Sequence, residues 1–382
     1  MPFPNVDNRH ISKKESWFEM TLGISLYPEK TSFEEDKDYI QRAFKLGYRR
    51  VFTSLLEIEG DTEEVMNSFS NTVKFAKEIG MDVVVDINPQ IMKQLAISYD
   101  DLSFFADLGA YAIRLDMGFT GREEAEMTRN PYGIKIEVNM SIGTKYIDNI
   151  MSFSPDRKNL IGSHNFYPME FSGLSESHFE KCTSQFRNYQ IETAAFITSK
   201  KGKIGPWPLQ DGLCTLEQHR TQSVTSQIMY YKLVDSINTI IIGNAYASQA
   251  ELEAIAAVYF ATHPSFSVVL NDNLTKIEKA IILDELHSFR GDRSDFLLRS
   301  SLPRFKYKKE AISSKDNRDL KKGDIAIANN HFGQYKGELH IALKDIANDK
   351  GRYNYVGTLT PEAFSLLDKL QPWSKFRLSK GE

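Results

Sequence analysis

Cysteine is scarce in this chain of 382 residues: Cys182 and Cys214 are the only two. Two thiols exclude a disulfide framework and fit a reducing compartment. No apolar run approaches the roughly 18 residues that a membrane-spanning helix needs. The opening stretch, MPFPNVDNRHISKKESWFEM, lacks the apolar centre of a secretory signal, so a soluble protein of the cytoplasm is expected. Excess charge is missing too, because 47 Lys and Arg face 51 Asp and Glu for a net charge of −4. No overall field draws the chain to nucleic acid or an anionic membrane, and any phosphate would have to meet a local basic pocket. The eight histidines are scattered, with no HxH, HExxH or CxxC, so neither metal nor cofactor is expected. A GxSxG elbow is absent as well.

What is present is ordinary globular material, 41% hydrophobic and 26% charged, in a chain long enough for two domains. Its strongest pattern is a repeat in which an amphipathic helix ends at a glycine and an apolar strand follows. Lys45-Leu46-Gly47 precedes Arg50-Val51-Phe52-Thr53, Glu78-Ile79-Gly80 precedes Val83-Val84-Val85-Asp86, and Asp107-Leu108-Gly109 precedes Ala112–Asp116. The glycine spacing is that of one βα unit, with glycine in the left-handed position past each helix. Ser32 with Glu35, Asp61 with Glu64, and Ser248 with Glu251 read as capping boxes at helix starts.

Strands are predicted at 22–27, 51–55, 82–88, 112–117, 134–140, 160–165, 191–198 and 236–242. Eight strand–helix units argue for a closed (β/α)8 barrel of the α/β class. The rival open sheet normally carries a glycine-rich phosphate loop after its first strand, and here that turn is Tyr27-Pro28-Glu29-Lys30. After Thr262-His263-Pro264 the texture changes to short alternating strands, at 267–270, 296–300, 324–328, 338–343, 353–358 and 375–378, with one helix at about 361–370. The expected organisation is a mobile extension over 1–19 (with Met20 an alternative start), a barrel over 20–262, and a smaller, mostly β domain over 263–382.

Alternation along the strands turns this map into chemistry, because inward side chains near the carboxyl ends line a barrel's active site. Val83, Val85 and Ile87 share one face of the third strand, leaving Asp86 and Asn88 inward. The same reasoning turns Arg114 and Asp116 inward on the fourth strand, and Lys135, Glu137, Asn139 and Ser141 on the fifth. Asp86, Asp116 and Glu137 are the catalytic candidates. Adjacent carboxylates raise one another's pKa and so keep one acid protonated near neutrality, although ion pairing with Arg114 and Lys135 gives them a purely structural alternative. The sixth strand ends Ser163-His164-Asn165-Phe166-Tyr167-Pro168, and His164, Asn165 and Tyr167 suit a polar, ring-shaped ligand. Tyr27, Asn88 and Asn139 complete the candidate binding set in the barrel. Thr215 and Arg220, beyond the seventh strand, are placed where barrels often hold phosphate, or else brace a proline-stiffened loop.

Several segments resemble the motifs of bacterial 6-phospho-N-acetylmuramidases. They are Leu22–Pro28, Phe52–Leu56, Asp86-Ile87-Asn88-Pro89, Arg114-Leu115-Asp116, Asn165-Phe166-Tyr167-Pro168 and Thr215–Arg220, followed by Arg290-Gly291-Asp292-Arg293, Leu298-Arg299-Ser300-Ser301 and Lys322-Gly323-Asp324-Ile325. Each is short, but their order spans roughly residues 20–380. The loop Gly205-Pro206-Trp207-Pro208 departs from the family by being bulkier. The resemblance implies a TIM barrel followed by a cyclophilin-like β domain. It also implies a glycosidase of peptidoglycan recycling that releases N-acetylmuramic acid 6-phosphate from the non-reducing end of a phosphorylated disaccharide.

On that reading Arg290, Arg299 and Arg304 are candidates to hold the 6-phosphate or the lactyl carboxylate, or else form ordinary ion pairs. The seventh strand ends Ala194-Ala195-Phe196-Ile197-Thr198 without a carboxylate, which disfavours a two-carboxylate double displacement. Participation of the substrate's own 2-acetamido group is expected instead, with Asp116 as acid, Asp86 as its partner and Glu137 in reserve. A phosphosugar isomerase, epimerase or aldolase, using Lys135 if it forms a Schiff base, and a non-catalytic phosphosugar-binding protein are the alternatives.

Overall fold

A computed structural model describes residues 20–55, 62–95, 97–209 and 211–381. The expected extension over 1–19 and the cap at Asp61 lie outside them. Eight parallel strands close into a barrel: β1 Thr21–Leu26, β2 Arg50–Ser54, β3 Asp82–Ile87, β4 Ala112–Leu115, β5 Lys135–Asn139, β6 Leu160–Ser163, β7 Glu192–Ile197 and β8 Thr239–Ile242. Closure is direct, since β1 pairs with β2 on one side and β8 on the other. Every predicted barrel strand is found, with its bounds shifted by up to three residues.

The helices α1 Phe33–Lys45, α2 Thr62–Glu78, α3 Pro89–Gln94, α4 Ser103–Leu108, α5 Arg122–Met127, α6 Tyr146–Ser152, α7 Glu176–Arg187, α8 Val224–Val234 and α9 Gln249–Phe260 alternate with these strands. Ser32 and Glu35 close a reciprocal capping box on α1, and Gly47, Gly80 and Gly109 all adopt the left-handed φ expected past a helix. Barrel strands covered on both faces read as apolar runs, and β2 and β8 are buried throughout. Inside, Phe52, Ala194, Phe196 and Ile241 form one layer and Val84, Ala112 and Ile161 another. Phe52, Phe166 and Phe196 meet edge to face. The barrel is therefore a packed core, and a ligand can be met only at its ends.

The chain divides into two compact units. One comprises the chain through Thr221 and Ser236–Leu252, the other Gln222–Asp235 and Glu253 onward. This division groups α8 with the second unit, where sequence patterning set the boundary at 262/263. The reason is local: Glu362 accepts hydrogen bonds from the Ser223 and Ser226 hydroxyls at 2.5 Å each.

The second unit is built on a seven-stranded sheet of β9 Ser265–Leu270, β10 His287–Ser288, β11 Leu297–Ser300, β12 Asp324–Ala328, β13 Leu339–Ala342, β14 Tyr353–Leu359 and β15 Lys375–Lys380. Their order is β10-β15-β9-β14-β12-β13-β11, antiparallel except for β15 beside β9. Short helices α10 Lys276–Lys279, α11 Pro303–Lys306 and α12 Pro361–Ser365 join them. The predicted helix at 361–370 is α12 followed by a 3-10 turn at Leu367–Lys369. No helix among the described residues is long and apolar enough to cross a membrane.

Candidate active site

The carboxyl ends of β3 to β6 are organised by one side chain, Arg114 on β4. Register places Asp86 and Glu137 beside it on the neighbouring strands, and all three are buried. Arg114 Nη1 donates to Asp86 Oδ1 at 2.7 Å and to Asp116 Oδ1 at 3.4 Å, Nε donates to Ser163 Oγ at 2.9 Å, and Nη2 donates to Asn165 Oδ1. Asp86 and Asp116 thus share one guanidinium nitrogen and are near neighbours. They differ in setting, because the Asp86 side chain is 2% exposed and that of Asp116 38%. Burial raises the Asp86 carboxyl from its ordinary 3.8 to about 7, with the charges of Asp116 and Glu137 adding to the shift against Arg114's opposition. The arrangement therefore lets Asp86 exist in both protonated and ionised forms near neutral pH. Although burial works against it, the surrounding carboxylates keep Arg114 protonated.

Glu137 lies deeper. It is fully buried, 3.8 Å from Arg114 Nε and 4.0 Å from Arg50 Nη1, and burial raises its pKa against both cations and a hydrogen bond from Ser163. It supports Arg114 from within the barrel. Asn139 is also buried, its Oδ1 accepting from the Ser141 amide at 2.9 Å. Asn88 caps α3 by accepting from the Ile91 amide. Asn165 and Tyr167 are both partly exposed. Burial raises the pKa of the Tyr167 hydroxyl, opposed by a hydrogen bond with Ser141.

Three sequence candidates have their polar groups engaged by protein partners. His164 follows the inward Ser163, so alternation directs it outward. Its ring meets Ser141 Oγ at 3.1 Å and Thr183 Oγ1 of α7 at 2.9 Å and packs against Phe179. Burial, with the nearby His178, drops its pKa to about 3 and leaves it neutral. Tyr27 is fully buried with its hydroxyl donating to the Gly243 carbonyl at 2.6 Å. Arg220 donates Nε and Nη2 to the two Glu217 oxygens at 2.7 and 2.8 Å, and Nη1 to the carbonyls of Tyr167, Asp211 and Gly212. Its fork ties the loop after β6 to the loop after β7.

Thr215 braces the same region by donating to the Asn165 carbonyl and accepting from the Phe196 amide. Lys30 Nζ pins the Gly205-Pro206 turn through both carbonyls, at 2.9 and 2.5 Å. The expected phosphate cradle is here a brace, because each of the three guanidinium nitrogens of Arg220 already donates to a protein acceptor. Arg290 and Arg299 lie in the second unit, paired with Asp292 and Glu338.

Ser141 and Ser163, not singled out as ligand contacts in the sequence, organise the site. Ser163 orients Arg114, and Ser141 Oγ accepts from the Asn165 amide at 2.9 Å. Their signal was the inward parity of their strands. The carboxylate of β7, Glu192, starts the strand and pairs with Arg50 and Lys135, whereas the opposite end runs Ile197-Thr198-Ser199 without an acid. Lys135 likewise begins β5, at the amino end and away from Asp116.

A closed (β/α)8 barrel whose strand ends gather two aspartates on a buried arginine has the organisation of a barrel enzyme, with its chemistry at the carboxyl ends. Family models described as 6-phospho-N-acetylmuramidase, N-terminal and C-terminal, match residues 22–257 and 264–379. The chain belongs to the 6-phospho-N-acetylmuramidase family, whose name is that of a glycosidase. Among solved structures, an uncharacterized B. cereus protein is 42% identical with a TM-score of 0.87, over 95% of this chain and 100% of that one. A conserved protein of unknown function from Enterococcus faecalis shares the fold at 23% identity and a TM-score of 0.74, over 94% and 96% of the two chains. Comparison with curated proteins returned no match.

Proposed function

We propose that this protein is a cytoplasmic glycoside hydrolase of peptidoglycan recycling. It releases N-acetylmuramic acid 6-phosphate from the non-reducing end of a 6-phosphorylated cell-wall disaccharide. The chemistry is assigned to the barrel segment, 20–262, and 263–382 is read as a cyclophilin-like domain. The observation that carries the reading is the sharing of Arg114 by Asp86 and Asp116, one buried with its pKa raised to about 7, the other 38% exposed.

In this mechanism Asp86 supplies the proton to the departing oxygen, and Asp116 accepts a hydrogen bond from the 2-acetamido N–H. The amide oxygen attacks the anomeric carbon as the leaving group departs with the Asp86 proton, and water, giving its proton to the Asp86 carboxylate, then opens the oxazolinium ion so formed. This order reverses the roles expected from sequence, because the buried environment belongs to Asp86. Asn165 and Tyr167 are proposed to contact the sugar, with Asn88 and Asn139 holding the walls. A Schiff-base aldolase is disfavoured by the place of Lys135, which starts its strand against Glu192.

The test is incubation with a 6-phosphorylated and an unphosphorylated muramyl glycoside side by side. Cleavage of the phosphorylated one alone is expected. Binding of either without turnover would instead favour a phosphosugar-binding protein.

A further inference from the structure

The second unit buries a carboxylate between two arginines. Glu338, directly before β13, is fully buried. Its Oε1 accepts from Arg304 Nη1 at 2.7 Å, and its Oε2 accepts from Arg299 Nη2 at 2.8 Å and Nε at 3.1 Å. His340 Nε2 stands 3.1 Å from the same oxygen. Burial alone would raise the Glu338 pKa, but the hydrogen bonds from His340 and Arg299 outweigh it and hold the group at about 2. Burial also lowers the His340 pKa, so the imidazole adds no charge at neutral pH. An ion pair buried only for stability roughly breaks even against apolar packing. Its better use is to orient the two guanidinium groups.

Both oxygens of Glu338 are filled, so the side of the cluster open to a ligand is the arginines. Among the described residues Arg299 Nη1 and Arg304 Nε and Nη2 have no acceptor, and the two side chains are 24% and 22% exposed. The Tyr335 ring receives both, at 5.8 and 5.7 Å, which fixes their planes further. Arg290 sits close by but is paired with Asp292. Two arginines against one carboxylate leave a single positive charge.

We propose that Arg299 and Arg304, oriented by Glu338, form an oxyanion-binding site in the second unit whose ligand is a carboxylate. Planar guanidinium forks match a carboxylate's two oxygens, and one negative charge neutralises the cluster where a phosphate dianion would overshoot. The site stands on the second unit alone and holds whether or not the barrel cleaves a glycoside.

The experiment is titration of the full chain with D-lactate and, separately, inorganic phosphate, followed by ligand-observed NMR. Lactate is expected to bind more tightly than phosphate, and Arg299→Gln and Arg304→Gln each to weaken it about tenfold or more, one charge-assisted hydrogen bond's worth. Thermal melting shows whether each variant is folded. Should a glutamine variant unfold, Arg299→Lys and Arg304→Lys keep a donor for Glu338 and are expected to weaken lactate by a smaller factor. Phosphate binding more tightly than lactate overturns the carboxylate assignment. No lactate binding, or binding indifferent to all four substitutions, overturns the site.

Discussion

Asp86 and Arg114 set the electrostatics of the barrel mouth, and two predictions belong to them. Asp86→Asn and Asp116→Asn are each expected to lower kcat/KM about 10²- to 10⁴-fold, the usual contribution of a positioned proton donor or its partner. Near-wild-type hydrolysis by both variants would remove the assignment. The second prediction concerns pH. Burial lifts Asp86 from 3.8 to about 7, so across that window the folded protein keeps a proton that the unfolded chain releases. Its contribution to stability is complete below about pH 4 and lost as pH rises through about 7. The melting temperature of the wild type minus that of Asp86→Asn should therefore fall between pH 4 and pH 8; a flat difference in scanning calorimetry contradicts it. Activity should decline above pH 7 for the same reason. At this scale the inward parity of β3 to β5 was readable, and the same alternation along β6 turns His164 outward once Ser163 and Asn165 meet Arg114.

At the scale of elements, the loops after β6 and β7 form one braced structure. Glu217 accepts from the Phe171 and Gly173 amides at 2.9 and 2.7 Å while holding Arg220. The hydrogen bonds from Arg220 come first among the causes that take the Glu217 pKa down to about 2. Arg220→Ala is expected to cost about 1–3 kcal/mol, the usual penalty for stranding buried acceptors, readable as a lowered midpoint of unfolding in urea. Arg220→Lys should not restore it, since an ammonium group cannot reproduce the bidentate fork. Faster hydrogen exchange at the Phe171 and Gly173 amides should accompany the loss. Arg220 looked like a phosphate ligand because strand 7 in a barrel often ends near one. Sequence carries residue type and place in the chain, but not which acceptors come within 3 Å of a side chain.

For the whole molecule, the telling feature is the end of β7 that carries no acid, with Glu192 at the other end bound to Arg50 and Lys135. If the substrate's amide takes the place of a protein nucleophile, a 2-trifluoroacetamido substrate should turn over far more slowly than the acetamido one. The first-formed product should retain its anomeric configuration, readable by NMR. Equal rates, or inversion, would point to direct attack by water. The sequence by itself determined the eight strand–helix units, the change of texture after Pro264 and the inward parity of Asp86, Arg114, Asp116 and Glu137. Those follow from local periodicity and glycine or capping signals, which need no distant partner. Only the tertiary structure decided that Arg114 joins Asp86 to Asp116, that Glu137 lies beneath them and that Arg220 is a brace. It also decided that α8 groups with the second unit. Each of these depends on which groups barrel closure and loop packing bring together from distant parts of the chain, and on how much water is left around them.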